Sequence, residues 1–128
     1  MKATLLNDFY TEIASEQIVN KDESFFVDIQ FNPSHAIYKG HFEQMPVVPG
    51  VCLIQIIKEL AEKKINKKLK LISADNIKFL SVIKPEEEVI YRVILRVQQN
   101  EQQLDVSATF GLGDVIYTKF KGKFSLWI

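Results

Sequence analysis

Only one stretch of this chain carries the periodicity of a long amphipathic helix, and that limits the folds open to it. From Val51 to Lys64 the apolar residues Leu53, Ile54, Ile57, Leu60 and Ala61 recur at the three-and-four spacing of a buried helical face. Pro49-Gly50 stands just ahead as the helix start, and lysines crowd the last turn, where the helix dipole favours cations. Most of the remainder alternates with period two. Phe25, Val27, Ile29 and Phe31 alternate with Asp28 and Gln30; Val89, Tyr91, Val93, Leu95 and Val97 alternate with Arg92 and Arg96. Leu104, Val106, Ala108 and Phe110 alternate with Asp105, Ser107 and Thr109, and Ile116, Phe120, Phe124 and Leu126 are expected on one face of a last strand. Weaker signals place strands near Leu69 to Phe79 and Tyr10 to Ile18. Gln99-Asn100-Glu101 and Gly111-Leu112-Gly113-Asp114 supply hairpin turns.

One helix cannot cover both faces of so large a sheet. Curving an antiparallel sheet around the helix solves this and predicts an α+β architecture. The 128 residues suffice for one domain, residues 1–128, but not for two. The open strand edges of such a sheet invite pairing with a second chain, so a dimer is expected, as a homodimer, a heterodimer or a larger assembly of dimers. The aromatics Phe25, Phe26, Phe31, Phe79, Phe110, Phe120 and Phe124 are assigned to the core, some of them also to the lining of a tunnel.

Composition excludes several classes of function. Sixteen basic and sixteen acidic side chains cancel, which gives no global pull on nucleic acid. No stretch approaches the roughly 20 apolar residues of a membrane span, and the segment from Met1 to Asp8 holds no apolar run suited to a signal peptide. Cys52 is the only cysteine, which precludes an internal disulfide and fits a reducing, cytoplasmic setting. With two histidines and one cysteine no structural zinc site is expected, and no Gly-rich nucleotide loop signals a cofactor.

The chemistry concentrates in the loop that leads into the helix, from His35 to Val51. Pro46 and Pro49 stiffen it, and Gly50 lets another group approach the helix start. Free N–H groups at Gly50, Val51 and Cys52 are expected to form a positive pole able to polarise a carbonyl oxygen. A histidine beside that pole is placed to take a proton from the carbon next to the carbonyl.

The run Gly40-His41-Phe42, Pro46-Val47 and Pro49-Gly50-Val51 resembles the signature of the β-hydroxyacyl-ACP dehydratases of type II fatty-acid synthesis, G-H-F-P-x-x-P-V-x-P-G-V-L-x-x-E-A-x-x-Q, and aligns with it without a gap. His35 to Tyr38 is similar to that family's approach loop, and Ile77-Lys78-Phe79 with Pro85 to its segment after the helix. The resemblance implies a hot-dog fold and the dehydration of a 3-hydroxyacyl thioester, carried on acyl carrier protein or coenzyme A, to the trans-2-enoyl product without metal or cofactor. It implies His41 as the base, the N–H of Gly50 or Val51 as the thioester-oxygen site, and Phe42, Cys52 and Phe79 in the substrate pocket.

One departure matters most. The family's acid is a carboxylate fourteen residues after the histidine, given by the partner's helix, and here that position is Gln55. An amide cannot serve as a general acid. Glu59 stands where the family has glutamine, so carboxylate and amide have changed places at i and i+4 of one helix face. Glu59 is thus a candidate replacement acid, displaced by roughly 5–6 Å along the axis. Three functions follow: a dehydratase using Glu59 or another subunit's carboxylate, an impaired binding subunit that completes a composite site with an active homologue, and a thioesterase. His35 is assigned to orienting the loop, and Cys52 to packing. The lysines at 58, 63, 64, 67, 68 and 70 either complement the helix dipole or dock an acidic carrier protein or the phosphopantetheine phosphate.

Overall fold

The structure, a computed structural model, describes residues 8–18, 23–39 and 45–127. Among the described residues six strands and one long helix follow each other: β1 (Tyr10–Gln17), β2 (Ser24–Phe31), α1 (Gly50–Ile65), β3 (Leu69–Phe79), β4 (Ile90–Asn100), β5 (Gln103–Leu112) and β6 (Val115–Leu126). A single 3₁₀ turn, Ala36–Tyr38, lies between β2 and α1. The strands form one sheet in the order β1-β2-β4-β5-β6-β3, antiparallel at every pairing, with β1 and β3 at the edges. This is the α+β hot-dog architecture that the periodicities and the resemblance imply.

The helix buries Cys52, Leu53, Ile56, Ile57, Leu60 and Ala61, the spacing that brings one stripe of a 3.6-residue helix against the sheet. Facing them are Val93, Leu95 and Val97 of β4, Leu104, Val106 and Phe110 of β5, and Phe120 and Phe124 of β6. Each large apolar side chain moved out of water contributes about 2 kcal/mol, so this shared core holds helix and sheet together. The hairpins are tight. Asn100 pairs with Gln103 and Leu112 with Val115, and Glu101 and Gly113 take the left-handed conformations, φ 60° and 59°, that two-residue turns demand.

Three expectations about faces are corrected. Ile116 does not share the inner face of β6. A bulge pairs Phe110 with Thr118 but Gly111 with Ile116, so the strand's parity flips at Tyr117 and Ile116 points outward. Phe26 lies between the inward Phe25 and Val27 and therefore faces out, where the Arg92 guanidinium covers its ring at 3.7 Å. Phe79, at the end of the edge strand β3, is 57% exposed. Among the described residues no helix is long and apolar enough to cross a membrane.

Candidate active site

The amino end of α1 is built without the usual side-chain cap. Pro49 occupies the N-cap position, makes no side-chain hydrogen bond to the helix, and leaves no acidic residue in the first turn. The N–H groups of Cys52 and Leu53 both reach the carbonyl of Pro49, at 3.0 and 3.3 Å. The Cys52 N–H expected in the oxyanion pole is therefore already spent, because the first turn closes on Pro49. Gly50 and Val51 donate to no acceptor among the described residues, and they remain as the open pair of donors.

Gly50 leaves room for a ring to lie against the helix start. A Cβ there would lie 2.7 Å from Cζ of Phe79, closer than carbon atoms approach. The Phe79 ring thus rests over the first turn. Two backbone bonds keep β3's end in place. Val48 donates to the carbonyl of Ile83 at 2.8 Å, and Leu80 donates to that of Tyr117 at 2.8 Å. Met45, Val51, Leu80 and Val82 are also exposed on these segments, giving this end an apolar surface.

The approach loop is fixed by His35. Its Nδ1 accepts from the Ile37 N–H at 3.0 Å, and its ring packs edge-on against Phe9 with centroids 5.1 Å apart. This is the orienting role assigned from sequence. Tyr38, one turn on, stacks on Phe9, and its buried hydroxyl finds no hydrogen-bond partner among the described residues. Burial, with the nearby Cys52, pushes that phenol above its usual range. Cys52 is itself buried, and burial likewise raises its thiol, so the group is held protonated and suits packing better than nucleophilic attack. His41 and Phe42 lie outside the described residues.

Gln55 and Glu59 do come together. The Gln55 Nε2 donates to Oε2 of Glu59 at 3.0 Å, and the Tyr10 hydroxyl of β1 donates to Oε1 at 2.9 Å. Both carboxylate oxygens are engaged. Burial, and then the charge of Glu59, drive the Tyr10 phenol far above its usual range, which keeps it a donor. Tyr10 escaped the sequence reading because the contact spans 49 residues and no local pattern marks it. Beyond it the same side of α1 continues as a polar seam to β1, with Lys63 on Glu12 and Lys64 on Gln17, each at 2.9 Å.

A family model described as ApeI-like, ApeI dehydratase, matches residues 17–116. The chain belongs to the ApeI-like dehydratase family. Its fold is shared by the dehydratase heterocomplex ApeI:P from Xenorhabdus doucetiae, with a TM-score of 0.71 and 19% identity over 90% of this chain and 96% of that one. An uncharacterized protein from Erwinia carotovora subsp. atroseptica gives a TM-score of 0.64 and 26% identity over 92% of this chain and 95% of that one. A conserved protein from Pseudomonas aeruginosa gives 0.64 and 16% over 99% and 95%. No curated protein matches the chain. This ApeI-like chain therefore has a dehydratase-family sequence on a hot-dog fold, with the motif's proline-glycine step opening its one long helix.

Proposed function

We propose that the chain is one half of a 3-hydroxyacyl-thioester dehydratase, supplying the base His41 and the thioester-oxygen site while a second chain supplies the acid. The observation that carries this reading is the state of Glu59. A carboxylate that already accepts from Tyr10 and Gln55 is held as an acceptor, and a proton donor needs the opposite arrangement.

In this reading the carbonyl oxygen accepts from the N–H groups of Gly50 and Val51. An imidazole nitrogen of His41 takes the α-proton, the electron pair moves into the new double bond, and the C–O bond at the β-carbon breaks. The partner's acid protonates the departing hydroxyl, which leaves as water. Phe79 shields the carbonyl and supports the acyl chain, with Phe42 and the backbone at Cys52 completing the pocket. That a structure sharing this fold is a dehydratase heterocomplex supports a mixed pair, and the substrate would arrive on acyl carrier protein or coenzyme A.

The test is Gln55→Glu in the purified chain, assayed with a short 3-hydroxyacyl thioester for the conjugated enoyl product. Turnover is expected to appear, or to rise by about 10²-fold, and to vanish again when His41→Ala is added. If the unaltered chain alone dehydrates the substrate and Glu59→Gln removes that activity, Glu59 is the acid and the composite site is wrong. If neither the chain nor the Gln55→Glu variant forms enoyl product, the dehydratase reading itself fails.

A further inference from the structure

The lysines singled out from sequence crowd the carboxyl end of α1, and carboxylates there offset part of their charge. Lys58 pairs with Glu62 at 3.4 Å and Lys63 with Glu12 at 2.9 Å. The groove there, about 500 Å³, sets Glu12, Glu59 and Glu62 against Lys63, Lys67 and Lys68. Three acids face three bases, so this groove has no net attraction for a polyanion.

The outer face of the sheet is different. A groove of about 430 Å³ crosses β4, β5, β6 and β3, and it is lined by Lys78, Lys119, Lys121 and Arg96 with no carboxylate among its walls. The register shows how these side chains meet. Thr109 pairs with Lys119 and Lys119 with Lys78; one step along, Ser107 pairs with Lys121 and Lys121 with Asn76. Directly paired residues share a face, so three ammonium groups stand together above two hydroxyls and an amide.

Lys78 and Lys119 are directly opposed, an arrangement of like charges that destabilises a sheet. Neighbouring cations on the same face have partners: Arg92 holds Asp28 at 2.8 Å, Arg96 reaches Glu23 at 3.7 Å and Lys123 holds Asp75 at 3.0 Å. Lys78, Lys119 and Lys121 have no ion pair among the described residues. The unneutralised charge therefore lies at the end of the sheet where Lys78 runs into Phe79, the residue whose ring covers Gly50.

We infer that this outer-face groove docks an acidic protein, the carrier that presents the thioester, with Lys78, Lys119 and Lys121 receiving its carboxylates at the rim of the active site. The inference rests on the proposed function for the carrier's identity, but the surface is argued from charge and register alone. An acidic surface would relieve the lysine–lysine repulsion, and the hydroxyls of Ser107 and Thr109 can accompany it with hydrogen bonds.

The experiment titrates acyl carrier protein into the purified chain, comparing wild type with Lys119→Glu/Lys121→Glu and with Lys67→Glu/Lys70→Glu at the helix end. The sheet-face variant is expected to raise Kd by about tenfold or more, and the helix-end variant to leave it unchanged. Loss of binding in the helix-end variant, or equal binding in all three, overturns the assignment. So does binding to vesicles of anionic phospholipid, abolished by the sheet-face variant, without any carrier binding. In the turnover-competent Gln55→Glu chain, the sheet-face variant should raise KM for the carrier-borne substrate while sparing the short thioester. An equal loss on both substrates overturns the docking role. Absence of turnover on both condemns only the dehydratase reading, since the titration still reports the docking.

Discussion

The two ends of α1 are provisioned in opposite ways. At the carboxyl end Asn66 takes the left-handed conformation, φ 57°, and its N–H and that of Lys67 both reach the carbonyl of Glu62. Glu62, 8% exposed, accepts the Leu69 N–H with its side chain at 2.8 Å and faces Lys58. One residue thereby closes the helix and starts β3. At the amino end Pro49 gives no side-chain cap, Val51 is 75% exposed, and the N–H groups of Gly50 and Val51 meet no acceptor among the described residues. A helix can leave one end unsatisfied when the other is closed this firmly, and the unsatisfied end is the one available for chemistry.

Substitutions at the two ends should accordingly fail in different assays. The largest effect is expected from Gly50→Ala, whose methyl group would displace the Phe79 ring from the first turn. Displacing the substrate cover should lower kcat/KM of the active complex by about 10²-fold, while the urea midpoint moves little; a fall in stability matching the loss of activity would break the contrast. Next comes Glu62→Ala, which strands the buried Leu69 N–H. It should cost about 2 kcal/mol in urea unfolding, with kcat unchanged in the protein that remains folded.

Smaller again is Tyr10→Phe, which removes one donor from Glu59. A loss of about 1 kcal/mol is expected at neutral pH, with turnover intact if Glu59 is structural. The same variant has a pH signature. The folded Tyr10 phenol titrates above its unfolded range, so its stabilising contribution is complete below about pH 10 and is lost as pH rises beyond it. Urea midpoints of the Phe variant should therefore fall less steeply above pH 10 than those of wild type. The least perturbing probe is alkylation of Cys52. Its buried, raised thiol should resist iodoacetamide at pH 8 in the native protein and react once urea unfolds it, whereas native labelling would mean that the amino end of α1 opens.

The elements readable from sequence were those written in local periodicity. The Leu53 to Ala61 stripe marked α1, and the alternations through Val93 and Val106 marked the inner faces of β4 and β5, because each pattern is imposed by burial along one element. What escaped was set between elements. The outward turn of Ile116 depends on a bulge created by the register with β5, and the exposure of Phe79 depends on β3 lying at the sheet's edge. Within the site, the i,i+4 spacing put Gln55 and Glu59 on one helix face, and their hydrogen bond to each other was not anticipated. That spacing held no trace of Tyr10, which decides what Glu59 can do. The closure of the Cys52 N–H on Pro49 was not legible either, since cap geometry depends on how the first turn closes.

The two edges of the sheet repeat this contrast on a larger scale. Along β1 the side chains of Tyr10, Glu12 and Gln17 are tied down to the helix, Glu16 is exposed, and a bulge interrupts the strand after Glu12. Along and beyond β3 the chain exposes Leu71, Ile72, Phe79, Leu80 and Val82. A sheet with two equally inviting margins would string copies into filaments, whereas one with a single sticky margin runs out of valence after joining one neighbour. Of the two margins, β3 therefore offers a second strand the broader apolar welcome, whether that neighbour is a twin or a cousin.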